Sequence, residues 1–255
     1  MGIYGKCRTR NAEPDNPYGD TKWRYQMFDT EFALWIYNGG GLTGQSGKDA
    51  FDEILNGDDK NHYNNQLFKA LLANEDFCRR FVNTMMDLYN VNFHPDSFLP
   101  KLNNYADIYR PLMDDYFIRW GKPWPTVFQN KVDDARNYLN SIRNAMVNNY
   151  LPTYFGGYSG IANIGIFGGN LHDVTLSTTG LNGASVKINT VTVPESWTGK
   201  YYSGNPITVT ASAPSSGYEF DGWTVTGGSA VTPSALTTIV NFNGNVQITA
   251  KYKLK

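Results

Sequence analysis

A single change of hydrophobic period, falling between residues 150 and 172, constrains this chain more than any other feature. Upstream of it, apolar residues recur at helical spacing. Phe51, Ile54 and Leu55 open the pattern, and Leu67, Phe68, Leu71 and Leu72 continue it. Asn74 is placed to cap a helix that has Glu75 and Asp76 in its first turn and Phe77, Phe81, Met85 and Leu88 as its stripe. Asp96 or Ser97 is placed to start another, with Leu102, Tyr105, Tyr109, Leu112 and Tyr116 along one face and a kink expected at Pro111. Thr126 and Gln129 fit a capping box ahead of Phe128, Val132, Ala135, Leu139, Ile142 and Met146. Downstream the period is two: Val186 and Ile188; Ile207, Val209 and Ala211; Val246, Ile248, Ala250 and Tyr252. Residues 156–170 between them are too glycine-rich for either element. The expectation is an α+β chain of two domains. A mainly helical half with a short β-hairpin covers residues 1–155, a linker covers 156–170, and a small all-β, β-grasp-like module covers 171–255. Few contacts are expected across the linker, and Trp223 is expected to be buried beside Tyr218 or Phe220.

Composition narrows the function classes. At 255 residues the chain can hold two modest cores, and 41% hydrophobic against 18% charged residues marks it as globular. A net charge of −1, with no basic cluster longer than a dipeptide such as Arg79-Arg80, gives no electrostatic case for nucleic acid. Cys7 and Cys78 are too few for a disulfide framework, although one bridge between them stays open. No apolar run is long enough to cross a bilayer, and the first residues lack the apolar core of a signal peptide. His62, His94 and His172 are too scattered to suggest a metal cluster, and no Gly-x-Ser-x-Gly nucleophile motif occurs.

The segment Trp23-Arg24-Tyr25-Gln26-Met27-Phe28-Asp29-Thr30-Glu31-Phe32 reads as a strand ending in two closely spaced carboxylates. Such a strand can deliver Asp29 and Glu31 to a hard metal ion beside a phosphate. Strand-end carboxylates also serve as ordinary turn formers. The glycine-rich run Gly39 to Lys48 that follows is not a phosphate loop, because Asp49 stands after Lys48 where a Ser or Thr is required. In the β half, Trp197, Tyr201 and Tyr202 could stack on sugars, and cross-strand packing explains them equally well. Trp120 reads as a core residue.

Four stretches carry a resemblance. Lys22-Trp23-Arg24-Tyr25 leads into Phe28-Asp29-Thr30-Glu31-Phe32; Leu67 to Phe81 joins a leucine pair, an Asn and a Phe-Cys-Arg; Pro111-Leu112-Met113 precedes Arg119-Trp120; Trp124 precedes Phe128 and Arg143. Together they resemble the spore coat protein H (CotH) kinases, atypical bacterial protein kinases, over about residues 3–150. The resemblance implies that Asp29 is a metal ligand, with Glu31 standing where the family usually has Asp. It implies ATP and Mg2+ as cofactors of an intact parent, and Ser or Thr of a protein as the acceptor. The family's preceding Asp and Asn and its nucleotide lobe have no counterpart here, so the chain is expected to be an inactive fragment.

The β half is similar to the divergent internalin-B-type repeat of bacterial surface proteins, through Gly204-Asn205-Pro206-Ile207-Thr208-Val209-Thr210-Ala211, Gly217-Tyr218-Glu219-Phe220-Asp221-Gly222-Trp223 and a last strand Val246 to Tyr252. An extracellular or cell-surface location follows from these resemblances, with a protein substrate or surface partner. Self-association through residues 20–40 is expected from the aromatics Trp23, Tyr25, Phe28, Phe32, Trp35 and Tyr37. The rival reading is a surface attachment or glycan-binding protein in which the helical half is a scaffold.

Overall fold

In the computed structural model, described over residues 6–7, 12, 21, 24–25, 50–56, 61, 63–121, 125–156 and 170–255, helices extend to Phe155 and strands run from Leu171 to Leu254. The chain is α+β, with its helices before its main sheet. A two-stranded antiparallel pair, β1 (Lys6–Cys7) and β2 (Arg24–Tyr25), comes first. The helices follow as α1 (Ala50–Asn56), α2 (Tyr63–Leu72), α3 (Glu75–Asp87), α4 (Pro95–Tyr109), α5 (Met113–Trp120), α6 (Pro125–Ala145) and α7 (Leu151–Phe155). π turns at Leu88–Asn92 and Met146–Tyr150 extend α3 and α6. By contact the chain divides into two compact units, residues 1–48 with 104–142, and residues 49–103 with 143–255.

In the first unit, Pro111 lies in a 3-10 turn, Arg110–Leu112, which separates α4 from α5. Proline has no N–H to give the helical ladder, and the α-helical pattern gives way to a 3-10 turn where the kink was expected. The stripe expected to face the core does the opposite: Tyr105, Tyr109, Leu112 and Tyr116 are exposed, as are Ile118 at 80% and Trp120 at 66%. Ala106, Val132, Ala135 and Leu139 are the buried positions. Gln129 does not close a capping box. Its side chain accepts from Arg110 and donates to Asp133 at 3.1 Å, while Arg136 pairs with the same carboxylate.

In the second unit, α3 is capped as expected, the Asn74 side chain accepting from the Phe77 amide at 3.0 Å. α4 starts earlier than expected, at Pro95, where His94 Nδ1 accepts from the Asp96 amide at 3.4 Å and the His94 carbonyl accepts from the amides of Ser97 and Phe98. One flank of α3 enters an aromatic cluster, in which Phe81 meets Phe51 at 5.9 Å and Phe68 and Phe155 at 5.4 Å. The fully buried line is Cys78, Val82 and Met86, one position along from the expected stripe. Its neighbours Asn83, Asp87 and Asn90 are buried too, although polar. They are buried because the β half lies on them, which overturns the expectation of few contacts between the helical and β segments.

That β half is one seven-stranded sheet: β3 (Leu171–Thr179), β4 (Val186–Ile188), β5 (Val191–Val193), β6 (Ser196–Tyr202), β7 (Ile207–Ala211), β8 (Tyr218–Ala230) and β9 (Thr237–Leu254). The order is β5-β4-β7-β9-β3-β6, with β8 on the other side of β9. Only β3 and β9 run parallel. Along β9 the buried residues Thr238, Val240, Phe242, Val246, Ile248, Ala250 and Tyr252 share one face, as a period of two requires. A bulge at Phe220/Gly222 inserts one residue, so Phe220 and Trp223, three apart, reach the same face. Trp223 is buried as expected, its ring 5.6 Å from Phe220 and its indole N–H donating to the Ala235 carbonyl at 2.9 Å.

Candidate functional site

The residues expected to hold a metal, Asp29 and Glu31, lie outside the described residues. So do Trp23, Phe28, Phe32, Trp35 and Tyr37 of the expected self-association segment, the loop Gly39 to Lys48, Trp124, and residues 157–169 of the linker. Among the described residues no group of three His, Cys, Asp or Glu side chains could hold a metal ion. His94 meets a single carboxylate, Asp96, at 3.6 Å. Among the described residues no such cluster offers itself to Mg2+.

Chemistry concentrates instead where α3 meets the sheet. Arg79, Asn83, Asp87 and Asn90 follow one another at spacings of four, four and three, which puts them on one helical face. Arg79 donates to the Gly204 carbonyl at 3.0 Å, and Asn83 donates to the Pro206 carbonyl and accepts from Asn205, both at 2.8 Å. Asn90 both donates to the Lys200 carbonyl and accepts from the Lys200 amide, at 2.8 Å each. β6 is an edge strand, so this one carboxamide supplies the pairing that a further strand would give.

Asp87 is the centre of the face. Tyr201 Oη donates to its Oδ1 at 2.7 Å and Asn189 Nδ2 at 3.2 Å, while Thr190 reaches Oδ2 with its amide at 2.9 Å and its hydroxyl at 2.5 Å. Asn189 sits at the tip of the β4–β5 hairpin with φ 44°, a conformation that Asn tolerates better than most residues. Burial pushes the Asp87 carboxyl above the ordinary carboxylate range, with the hydrogen bonds from Thr190, Tyr201 and Asn189 opposing it. Burial, and then the charge of Asp87, push the Tyr201 phenol up. Asp87 and Tyr201 are both fully buried and closed off from a substrate by the partners just named, so the cluster is built to join rather than to react.

The aromatics singled out as sugar platforms belong to this junction. Tyr201 and Tyr202 are buried, and Tyr202 donates to the Val147 carbonyl in the second π turn. Consecutive strand residues point to opposite faces, and both faces of this strand end are covered. Trp197 is half-buried, its ring over Gly199 and 6.5 Å from Tyr201. Nearby, Arg143 lies 3.8 Å over the Tyr89 ring and donates to its carbonyl. Cys78 is free and buried, and burial followed by the charge of Glu75 pushes its thiol up to about 11, so it is no nucleophile. Two open clefts flank Gly227, of about 330 Å³ and 310 Å³, lined mainly by amides and hydroxyls such as Asn241, Asn243, Thr175 and Gln247.

Sequence reasoning passed over the α3 side of the junction. Its only signal was that Arg79, Asn83, Asp87 and Asn90 recur on one helical face, which reads as a solvated face when no partner is in view. A family model described as CotH kinase protein matches residues 4–146, and one described as Divergent InlB B-repeat domain matches residues 175–255. No curated protein and no solved structure matches the chain.

Proposed function

The chain belongs to the CotH kinase protein family, and from that premise we propose that it is part of an atypical protein kinase of the cell surface or spore coat. The parent transfers a phosphoryl group from ATP to Ser or Thr of a protein, and Asp29, with Glu31 beside it, is the proposed Mg2+ ligand. The family match over residues 4–146 carries this reading. Phosphoryl transfer is almost wholly positioning and charge stabilisation, so one strand-end ligand cannot support it alone. These 255 residues by themselves are proposed to be inactive.

The test is transfer of labelled phosphate from Mg·ATP to a mixed protein substrate by the polypeptide as its gene encodes it, beside Asp29→Asn. Loss of transfer in the variant supports the proposal; equal transfer by both removes Asp29 from the site. Micromolar Mg·ATP binding by the 255 residues alone would overturn the inactive reading. A surface-attachment role is the second reading, favoured by the repeat match over residues 175–255. Its sugar-stacking form loses support because Tyr201 and Tyr202 are buried.

A further inference from the structure

A spacer needs no particular neighbour, yet this repeat-like sheet places a buried carboxylate of α3 at the centre of its contact. Among the described residues no cation pairs with Asp87. From β6 it faces Tyr201, while Lys200 on the same strand is turned to Asp173 at 2.8 Å. From the β4–β5 hairpin it faces Asn189 and Thr190, with Lys187 exposed on β4. Along its own helix Arg79 is two turns away, held by Glu75 and the Gly204 carbonyl. Beyond the π turn, Arg143 is held by Tyr89. Buried charge is costly unless compensated, and neutral donors compensate only in part.

We propose that α3 and its π turn are a latch that joins the sheet to residues 49–103 as one cooperative unit, fastened at Asp87 and tighter in mildly acidic medium. A proton on Asp87 removes the charge that burial disfavours. The geometry accepts it, because the hydroxyls of Thr190 at 2.5 Å and Tyr201 at 2.7 Å can each turn from donor to acceptor. The carboxyl is raised in the folded state. Its contribution is therefore complete below the ordinary carboxylate value of about 3.9 and is lost as pH rises through the raised value. The sheet is thereby a fixed part of the helical segment rather than a tethered one, and it acts wherever that segment acts.

Thermal unfolding of the full chain from about pH 8 to about pH 4, wild type beside Asp87→Asn, tests the acid dependence. The Asn variant carries no charge at any pH, so the wild type should gain on it as pH falls, by roughly 3 °C in Tm. A Tm difference that stays constant across pH overturns the acid dependence. If Asp87→Asn does not fold, Tyr201→Phe serves. It removes one donor from the carboxylate and should steepen the wild-type profile, and an unchanged profile counts against the proposal. Hydrogen exchange of the full chain tests the cooperative half. Amides of α3 and β6 should share one opening equilibrium in the wild type and separate in Asn83→Ala/Asn90→Ala. Separate opening already in the wild type overturns the latch.

Discussion

Single residues here are decided by which neighbours the fold brings, as a comparison of Trp223 with Trp120 shows. Each has a glycine on one side and a polar residue on the other, and both read as core. Trp223 is core because the bulge at Phe220/Gly222 turns it onto the face of Phe220, and its indole N–H finds the Ala235 carbonyl. Trp120 ends α5 and stays 66% exposed. Replacing Trp223 with Ala leaves a cavity and an unpaired carbonyl, and should destabilise the second unit by about 3–5 kcal/mol in denaturant unfolding. A loss below about 1 kcal/mol would show that the indole packs loosely against its neighbours.

At the scale of elements, the long hairpin of β8 and β9 depends on its bulges. Gly227 has φ 84°, and a Cβ there would stand 2.3 Å from the Asn245 carbonyl oxygen, which is backbone and cannot turn away. Gly183 also has a positive φ, 74°, with open space around it. Alanine at Gly183 should therefore cost only the strain of the left-handed conformation, about 1 kcal/mol, while alanine at Gly227 should cost about 3 kcal/mol or more. Equal losses from the two substitutions would mean that the bulge shifts to make room. The helix α3 gives the opposite lesson on legibility. Its start was readable because Asn74 bonds a local amide, three residues on. Its buried polar face was not, because the partners of Asn83, Asp87 and Asn90 lie more than a hundred residues away.

At the scale of the whole molecule, the apolar stripe of α4 and α5 is exposed while polar side chains of α3 are buried, so hydrophobicity alone assigns two surfaces to the wrong environment. Ile118→Lys together with Tyr109→Lys should leave stability within about 0.5 kcal/mol, as expected for exposed positions. A loss above about 2 kcal/mol would show that this stripe is covered in solution. Among the described residues no helix is long and apolar enough to cross a membrane.

Local periodicity determined the α+β class, the order of helices before strands, the α3 cap, the break at Pro111 and the buried face of β9. These depend on interactions within a few residues or on a repeat of 3.6 or two, and such information is local. The candidate metal pair Asp29 and Glu31 was read as a motif, and both residues lie outside the described ones. Only the tertiary structure decided that the sheet closes on α3, that Asp87 lies beneath Tyr201 and that Tyr202 reaches Val147. The physical reason is that a polar group shows no sign in sequence of whether water or a distant donor will satisfy it.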